Sequence, residues 1–194
     1  MKKALFVDRD GVLNKMVHYS HGWDSPQKPE DVQLVTGIAD VISWANKRNI
    51  LVIEISNQPG VAKAKMTQEI ADAIESRVHE LLREQNALID ATYICPHHPD
   101  AKVESLRLHC DCRKPKAGLF FKVSKDLDIY LSGSIFIGDK NTDVEAGRTA
   151  GTKTILFFHT DDEIEKIEAL KTCAPDYQIV DMNESLPILR SHFT

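Results

Sequence analysis

Short apolar runs rich in β-branched and aromatic residues recur along the chain with longer, helix-patterned segments between them, and this alternation is its strongest constraint on folding. The runs are ALFVD (4–8), ILVIEIS (50–56), ATYIC (91–95), SIFIGD (134–139) and KTILFF (153–158), with YQIV (177–180) a weaker edge candidate. Strands joined through helices return to the same edge, so they pair in parallel. Between them Ile70, Ile74, Val78, Leu81 and Leu82 recur at helical spacing, as do Leu119, Phe120, Val123 and Leu127. Both stripes are read as core that packs helices onto the sheet.

The expected architecture is α/β: a Rossmann-like open, mainly parallel sheet with helices on both faces. At 194 residues, 42% of them hydrophobic, one domain spanning 1–194 can bury its own core. The segment 15–36 breaks the rhythm, being polar and holding two prolines, and reads either as a substrate-facing loop or as plain connection. No apolar run nears the roughly 18 residues that span a bilayer, and ALFV is followed at once by charge, so no secretory core is visible. A cytoplasmic protein is expected. A net charge of −5 gives no broad basic footprint, which argues against nucleic-acid and membrane partners. A monomer is the expectation.

The first run ends on Asp8 and Asp10, and SIFIGDKNTD repeats the pattern, placing Asp139 at a strand end and Asp143 one helical turn later. If the two strands are parallel neighbours, Asp8 and Asp139 meet at one carboxyl edge. Oxygen ligands of that kind suit Mg²⁺. Ser56 and Asn57 end a third run, offering a hydroxyl and backbone N–H groups to an oxyanion. Arg113 and Lys114 place two cations just before a predicted helix. No Gly-x-Gly-x-x-Gly follows the first strand, which sets aside a nicotinamide site.

Cysteines cluster in CPHHPDAKVESLRLHCDCRKP: Cys95, then twelve residues between His97 and Cys110, then Cys112. Three thiolates and an imidazole complete a tetrahedral structural Zn²⁺ site with no position left for substrate. Spacing alone leaves His97 and His98 as alternatives for the imidazole, with His109 a further rival. Cys173 stands apart as an ordinary thiol.

The ordered set Asp8 with Asp10, Ser56, Lys114, and Asp139 with Asp143 resembles the four motifs of the haloacid dehalogenase superfamily, and the likeness covers nearly the whole chain. The resemblance implies a phosphatase without a large cap domain, carrying a zinc-stapled loop insert (95–112). It implies Asp8 as nucleophile, Asp10 as general acid and base, and Mg²⁺ on Asp8, the Asp10 main-chain carbonyl and Asp139. Ser56 and Lys114 would hold the phosphoryl oxygens, with Asp143 bracing Lys114; Arg113, Lys140 and Asn57 would face substrate. The family's Cys-x-His pattern implies His97 as the zinc ligand.

Within the superfamily the zinc loop is similar to two groups, the heptose 1,7-bisphosphate phosphatases and the histidinol-phosphate phosphatases. The longer loop favours the former, and hence a sugar bisphosphate substrate in nucleotide-heptose biosynthesis. A non-catalytic zinc-stapled binding module would be expected to lack a motif residue, and none is missing. Two departures stand beside Ser56: Pro59 where the group has serine, and Ala62-Lys63-Ala64 where it has Ala-Arg-Gly.

Overall fold

Every strand expected from the apolar runs forms. The computed structural model describes residues 2–158 and 174–194. In chain order these give β1 (Ala4–Val7), a hairpin of β2 (Val17–Tyr19) and β3 (Gly22–Asp24), α1 (Ile38–Asn46), β4 (Leu51–Asn57), α2 (Gln68–Glu84) and β5 (Ala91–Cys95). They continue with α3 (Gly118–Leu127), β6 (Ile135–Gly138), α4 (Asn141–Ala150), β7 (Lys153–Phe157), β8 (Tyr177–Ile179) and α5 (Ser185–His192). No helix among the described residues is long and apolar enough to cross a membrane.

Six strands make one sheet in the order β5-β4-β1-β6-β7-β8, and each adjoining pair is parallel. From β1 the chain builds outward to one side through β4 and β5, then returns to fill the other through β6, β7 and β8. The order therefore reverses at β1, and ligands of open α/β sheets bind at such a reversal, beyond the carboxyl ends of the strands. Asp8 is the first residue past β1, with its N–H on the Ile137 carbonyl of β6 at 3.0 Å.

Side chains alternate across the sheet and make two buried layers. Leu5 and Val7 join Val52, Ile135 and Ile137 beneath α1, α2 and α5. Ala4 and Phe6 join Ile53, Ile55 and Phe136 beneath α3 and α4. In the second layer Phe120 of α3 sits between Phe6 and Phe136, with ring centroids 5.1 and 5.0 Å away in edge-to-face geometry.

The helical stripes are core with one correction. Ile74, Val78 and Leu82 are buried on α2, but Ile70 is 37% exposed. Each i+4 step turns about 40° around a helix, so Ile70 lies about 80° from Val78, at the margin of the apolar face. Within 15–36 the structure has more order than the sequence suggests. Val17, His18 and Tyr19 pair antiparallel with Asp24, Trp23 and Gly22, away from the main sheet.

Phe120→Ala should cost about 3–5 kcal/mol, because the ring is fully buried between two others and the cavity cannot fill by collapse. Urea denaturation of the two proteins checks this; a loss below about 1 kcal/mol would mean that the aromatic layer repacks.

Candidate active site

The register of the central strands brings the expected acidic residues together. Val7 is level with Ile137 on one side and Glu54 on the other, so Asp8, Asp139 and Ser56 all lie at one carboxyl edge. Carboxylate oxygens of Asp8, Asp139 and Asp143 fall within 4.8 Å of one another, and all three residues are buried. Gly11 makes this approach possible. Its φ is +91°, and a Cβ there would lie 2.2 Å from Asp139 Oδ2. Gly138 does the same for Asp143, whose Cβ would be 2.2 Å from an added methyl. Asp143 in turn accepts from the N–H groups of Asp139 (3.2 Å) and Lys140 (3.0 Å), capping α4.

Lys114 supplies the buried positive charge. Its Nζ lies 2.9 Å from Asp8 Oδ1 and 2.7 Å from Asp143 Oδ1, and donates to the Ile55 carbonyl at 2.9 Å. Burial works against the ammonium, and Asp143 and Asp8 more than offset it, so its pKa is raised. Burial also pushes the Asp8 carboxyl up, with Lys114 opposing. Three carboxylates against one buried ammonium leave an excess of negative charge, which is costly in a dry site and is what a divalent cation would neutralise. The all-oxygen donor set fits Mg²⁺.

Asn57 uses its amide on Lys114 itself, accepting from the Lys114 N–H and donating to its carbonyl, both at 3.0 Å. Asn57 thus clamps the main chain of Lys114. Arg113 is anchored through Nη1 to the His97 carbonyl at 3.2 Å. Lys140 keeps a half-exposed side chain, its Nζ 3.6 Å from Asp139 Oδ1.

Asp10 is the most heavily hydrogen-bonded carboxylate of the site. It accepts from Gln58 Nε2 (2.7 Å), Ser25 Oγ (2.8 Å) and Asn14 Nδ2 (3.0 Å), and from Arg9 at 3.3 and 3.4 Å. Burial alone would raise its pKa, but Arg9 and these donors hold it down at about 2. Gln58 also donates to Ser56 Oγ at 2.8 Å, linking the hydroxyl to Asp10. Arg9, Asn14, Ser25 and Gln58 are additions that the sequence reading lacks. Asn14 and Gln58 lie just past Asp10 and Ser56 in the sequence, and polar residues adjoining those positions were the signal available for them. Ser25 brings the segment 15–36 up to Asp10.

Cys95, His97, Cys110 and Cys112 converge on one point. The Cys95 Sγ lies 3.5 Å from Cys110 Sγ and 3.1 Å from Cys112 Sγ, and His97 Nδ1 lies 3.3 Å from Cys112 Sγ. Tetrahedral Zn–S bonds of about 2.3 Å imply edges of roughly 3.8 Å, so the set needs only slight expansion to hold the ion. Burial pushes the Cys95 thiol up, a shift that a bound cation would reverse. His97, not His98, belongs to the cluster; His98 Nδ1 accepts from the Asp100 N–H at 3.1 Å. Cys173 lies outside the described residues.

Three comparisons bear on this geometry. A family model described as HAD-hydrolase-like matches residues 111–185. The chain is 36% identical over 160 residues to the D-glycero-beta-D-manno-heptose-1,7-bisphosphate 7-phosphatase of Haemophilus ducreyi, covering 82% of this chain and 84% of that one. It is 31% identical over 176 residues to the Vibrio cholerae enzyme of the same name, covering 90% and 91%. In fold it is similar to the D,D-heptose 1,7-bisphosphate phosphatase of B. bronchiseptica, solved with magnesium and phosphate, with a TM-score of 0.78, 24% identity and coverage of 97% and 99%. With a third of its residues shared over most of both lengths, the chain belongs to the heptose-bisphosphate phosphatase family of haloacid dehalogenase-like hydrolases.

Proposed function

We propose that this phosphatase removes the C7 phosphate of D-glycero-D-manno-heptose 1,7-bisphosphate through an aspartyl phosphate on Asp8. The observation that carries the reading is the buried Lys114 ammonium between Asp8 and Asp143 at the reversal of the sheet. The names of the relatives at 31–36% identity support the choice of substrate.

In this mechanism an Asp8 carboxylate oxygen attacks phosphorus in line as the P–O bond to the sugar breaks, which divides one hard displacement into two easier ones. Asp10 gives its proton to the departing sugar oxygen. It then takes a proton from the water that attacks the phosphorus of the aspartyl phosphate, freeing Asp8 and inorganic phosphate. Ser56 and Lys114 hold the non-reacting phosphoryl oxygens by fixed hydrogen bonds and charge. Asp8, the Asp10 main-chain carbonyl and Asp139 would hold Mg²⁺, which supplies charge neutralisation between an anionic nucleophile and an anionic phosphate. Asp143 and Asn57 position Lys114, one through its ammonium and one through its backbone. Arg113, carried on the zinc-stapled loop, faces the part of the substrate that remains, with Lys140 a further cation at the rim.

Asp8→Asn should lower kcat roughly a thousandfold or more with the fold intact, since the amide is nearly isosteric but a poor nucleophile. Steady-state assays with added Mg²⁺ check it, and retention of a tenth of wild-type turnover would remove Asp8 from this role. One zinc per chain is expected from elemental analysis of protein never exposed to chelator. Cys110→Ser should lose the metal and lower the melting temperature; a zinc-free wild type would refute the structural ion. Arg113→Ala should lower kcat/KM for the bisphosphate by about 2 kcal/mol, the value of a charge-assisted hydrogen bond, and that for a small aryl phosphate much less. Equal losses would assign Arg113 to the reacting phosphate instead.

A further inference from the structure

One buried titratable group is unused by the mechanism. Glu54 lies in the middle of β4, level with Val7 of β1, and is fully buried where a central strand calls for an apolar residue. It faces α2, on which Glu75 and His79 stand four residues apart on one side. His79 Nε2 lies 3.2 Å from Glu54 Oε2 and 3.1 Å from Glu75 Oε1. The other Glu75 oxygen accepts from Arg9 Nη1 at 3.0 Å, and Arg9 reaches Asp10 with its remaining nitrogens. A continuous chain of contacts thus runs from the centre of the sheet, through Glu54, His79, Glu75 and Arg9, to Asp10.

The pairings supply their own counter-charge. Hydrogen bonds to Glu54 and Glu75 push His79 up to about 9, which keeps it protonated at neutral pH. Against the burial that would raise it, Glu75 is held down at about 2 by His79 and Arg9, whereas burial pushes Glu54 up to about 8. Two carboxylates and an imidazole could in principle take a cation, but the guanidinium and the imidazolium already fill that need. The contact lengths indicate which partner sets the position of Arg9. Its bonds to Asp10 are long, 3.3 and 3.4 Å, while those to Glu75 and Gln58 are 3.0 and 2.5 Å. Hydrogen bonds weaken steeply beyond ordinary length, so the short contacts dictate and the long ones follow.

We propose that Glu75, braced by His79 and Glu54, is a positioning residue that fixes the Arg9 guanidinium and, through the two-point contact of Arg9 on Asp10, the direction in which the Asp10 carboxyl faces the leaving group. This rests on the phosphatase reading above, with Asp10 as the proton donor. Without Glu75 the guanidinium shifts toward the shorter contacts that such pairs prefer and carries the Asp10 carboxyl out of line with the leaving oxygen. The loss should then depend on how much help the leaving group needs, which a merely structural defect would not do.

The test is kcat/KM of the Mg²⁺-loaded enzyme on a series of aryl phosphates from p-nitrophenyl to unsubstituted phenyl phosphate, with melting temperature recorded for each variant. General acid catalysis is worth roughly a hundredfold or more where the leaving group is poor. Glu75→Ala should therefore lose about tenfold or more on phenyl phosphate and under about threefold on p-nitrophenyl phosphate. Glu75→Gln, which keeps the shape and an acceptor, should fall between wild type and alanine, and it carries the test if the alanine variant does not fold. Equal losses along the series, or none, would overturn the proposal. So would a second bound metal that disappears on Glu75→Ala, since the cluster would then be a cation site. Asp10→Asn separates the two levels: if it does not steepen the leaving-group dependence, the acid role of Asp10 fails; if it does and neither Glu75 variant does, only the role of Glu75 falls.

Discussion

The ammonium of Lys114, buried with 3% of its surface exposed, is the interaction on which the rest of the site depends. It joins three parts of the chain that are remote in sequence: the end of β1 at Asp8, the first turn of α4 at Asp143 and the end of β4 at Ile55. Removing one member of such a group leaves a buried charge uncompensated, at a cost of several kcal/mol. The backbone is built to keep it in place. Asn57 clamps its main chain, and two residues earlier Cys112 belongs to the thiolate cluster. Four residues later Gly118 opens α3 so closely against the Asp111 carbonyl that an added Cβ would lie 2.3 Å from that oxygen. The loop that gathers Cys95, His97, Cys110 and Cys112 thus serves as the mount for one lysine and its neighbour Arg113.

Much of this arrangement was legible in the sequence because it lies in local patterns. Apolar runs that end on Asp8, Ser56 and Asp139 mark both the strands and the edge at which they stop, and once β1 is flanked by β4 and β6 the three residues must share that edge. What could not be read is whatever depends on pairing between distant polar side chains. Arg9 looks like a turn residue in Asp-Arg-Asp-Gly, and only the fold brings Glu75 and Gln58 to it. Glu54 breaks the apolar run ILVIEIS, and that break was the single sign of a polar interior beneath α2. The two candidate histidines could not be separated by spacing, since adjacent residues are equally close to the cysteines along the chain; backbone direction after β5 decides for His97.

The stretch before Val32 and Val35, where the segment 15–36 rejoins the core, illustrates the opposite case, order outside the core. Its strands are three residues long and its shape is held by side chains. Tyr19 donates to Asp31 at 2.6 Å and accepts from the Gln27 N–H at 3.0 Å, Asp24 pairs with Lys65, and Lys15 donates its N–H to the Gln33 carbonyl at 2.8 Å. No hydrophobic periodicity could have revealed such a structure. Across from it, Ala64 occupies the left-handed region at φ +53°, at the position where the related group carries glycine. A Cβ in that region costs on the order of 1 kcal/mol, and the loop accepts the cost while its Lys65 reaches Asp24.

In the proposed mechanism Asp10 must both give and take a proton, so its surroundings have to serve both steps. A carboxyl held at about 2 is ionised at neutral pH, which suits the half-reaction that takes a proton from water and opposes the half-reaction that delivers one. The sign of the remedy follows from electrostatics: an arriving phosphate monoester carries between one and two negative charges near neutral pH, and a like charge nearby raises a carboxyl pKa. In the proposed mechanism substrate itself would favour the protonated form of Asp10, and giving up that proton to the leaving oxygen leaves Asp10 as the carboxylate that hydrolysis needs. A displaced Arg9 would spoil both half-reactions by turning the Asp10 carboxyl away from the reacting oxygens. Arg9 touches both Asp10 oxygens at 3.3 and 3.4 Å while shorter contacts to Glu75 and Gln58 hold the guanidinium, so the carboxyl keeps one direction through both half-reactions.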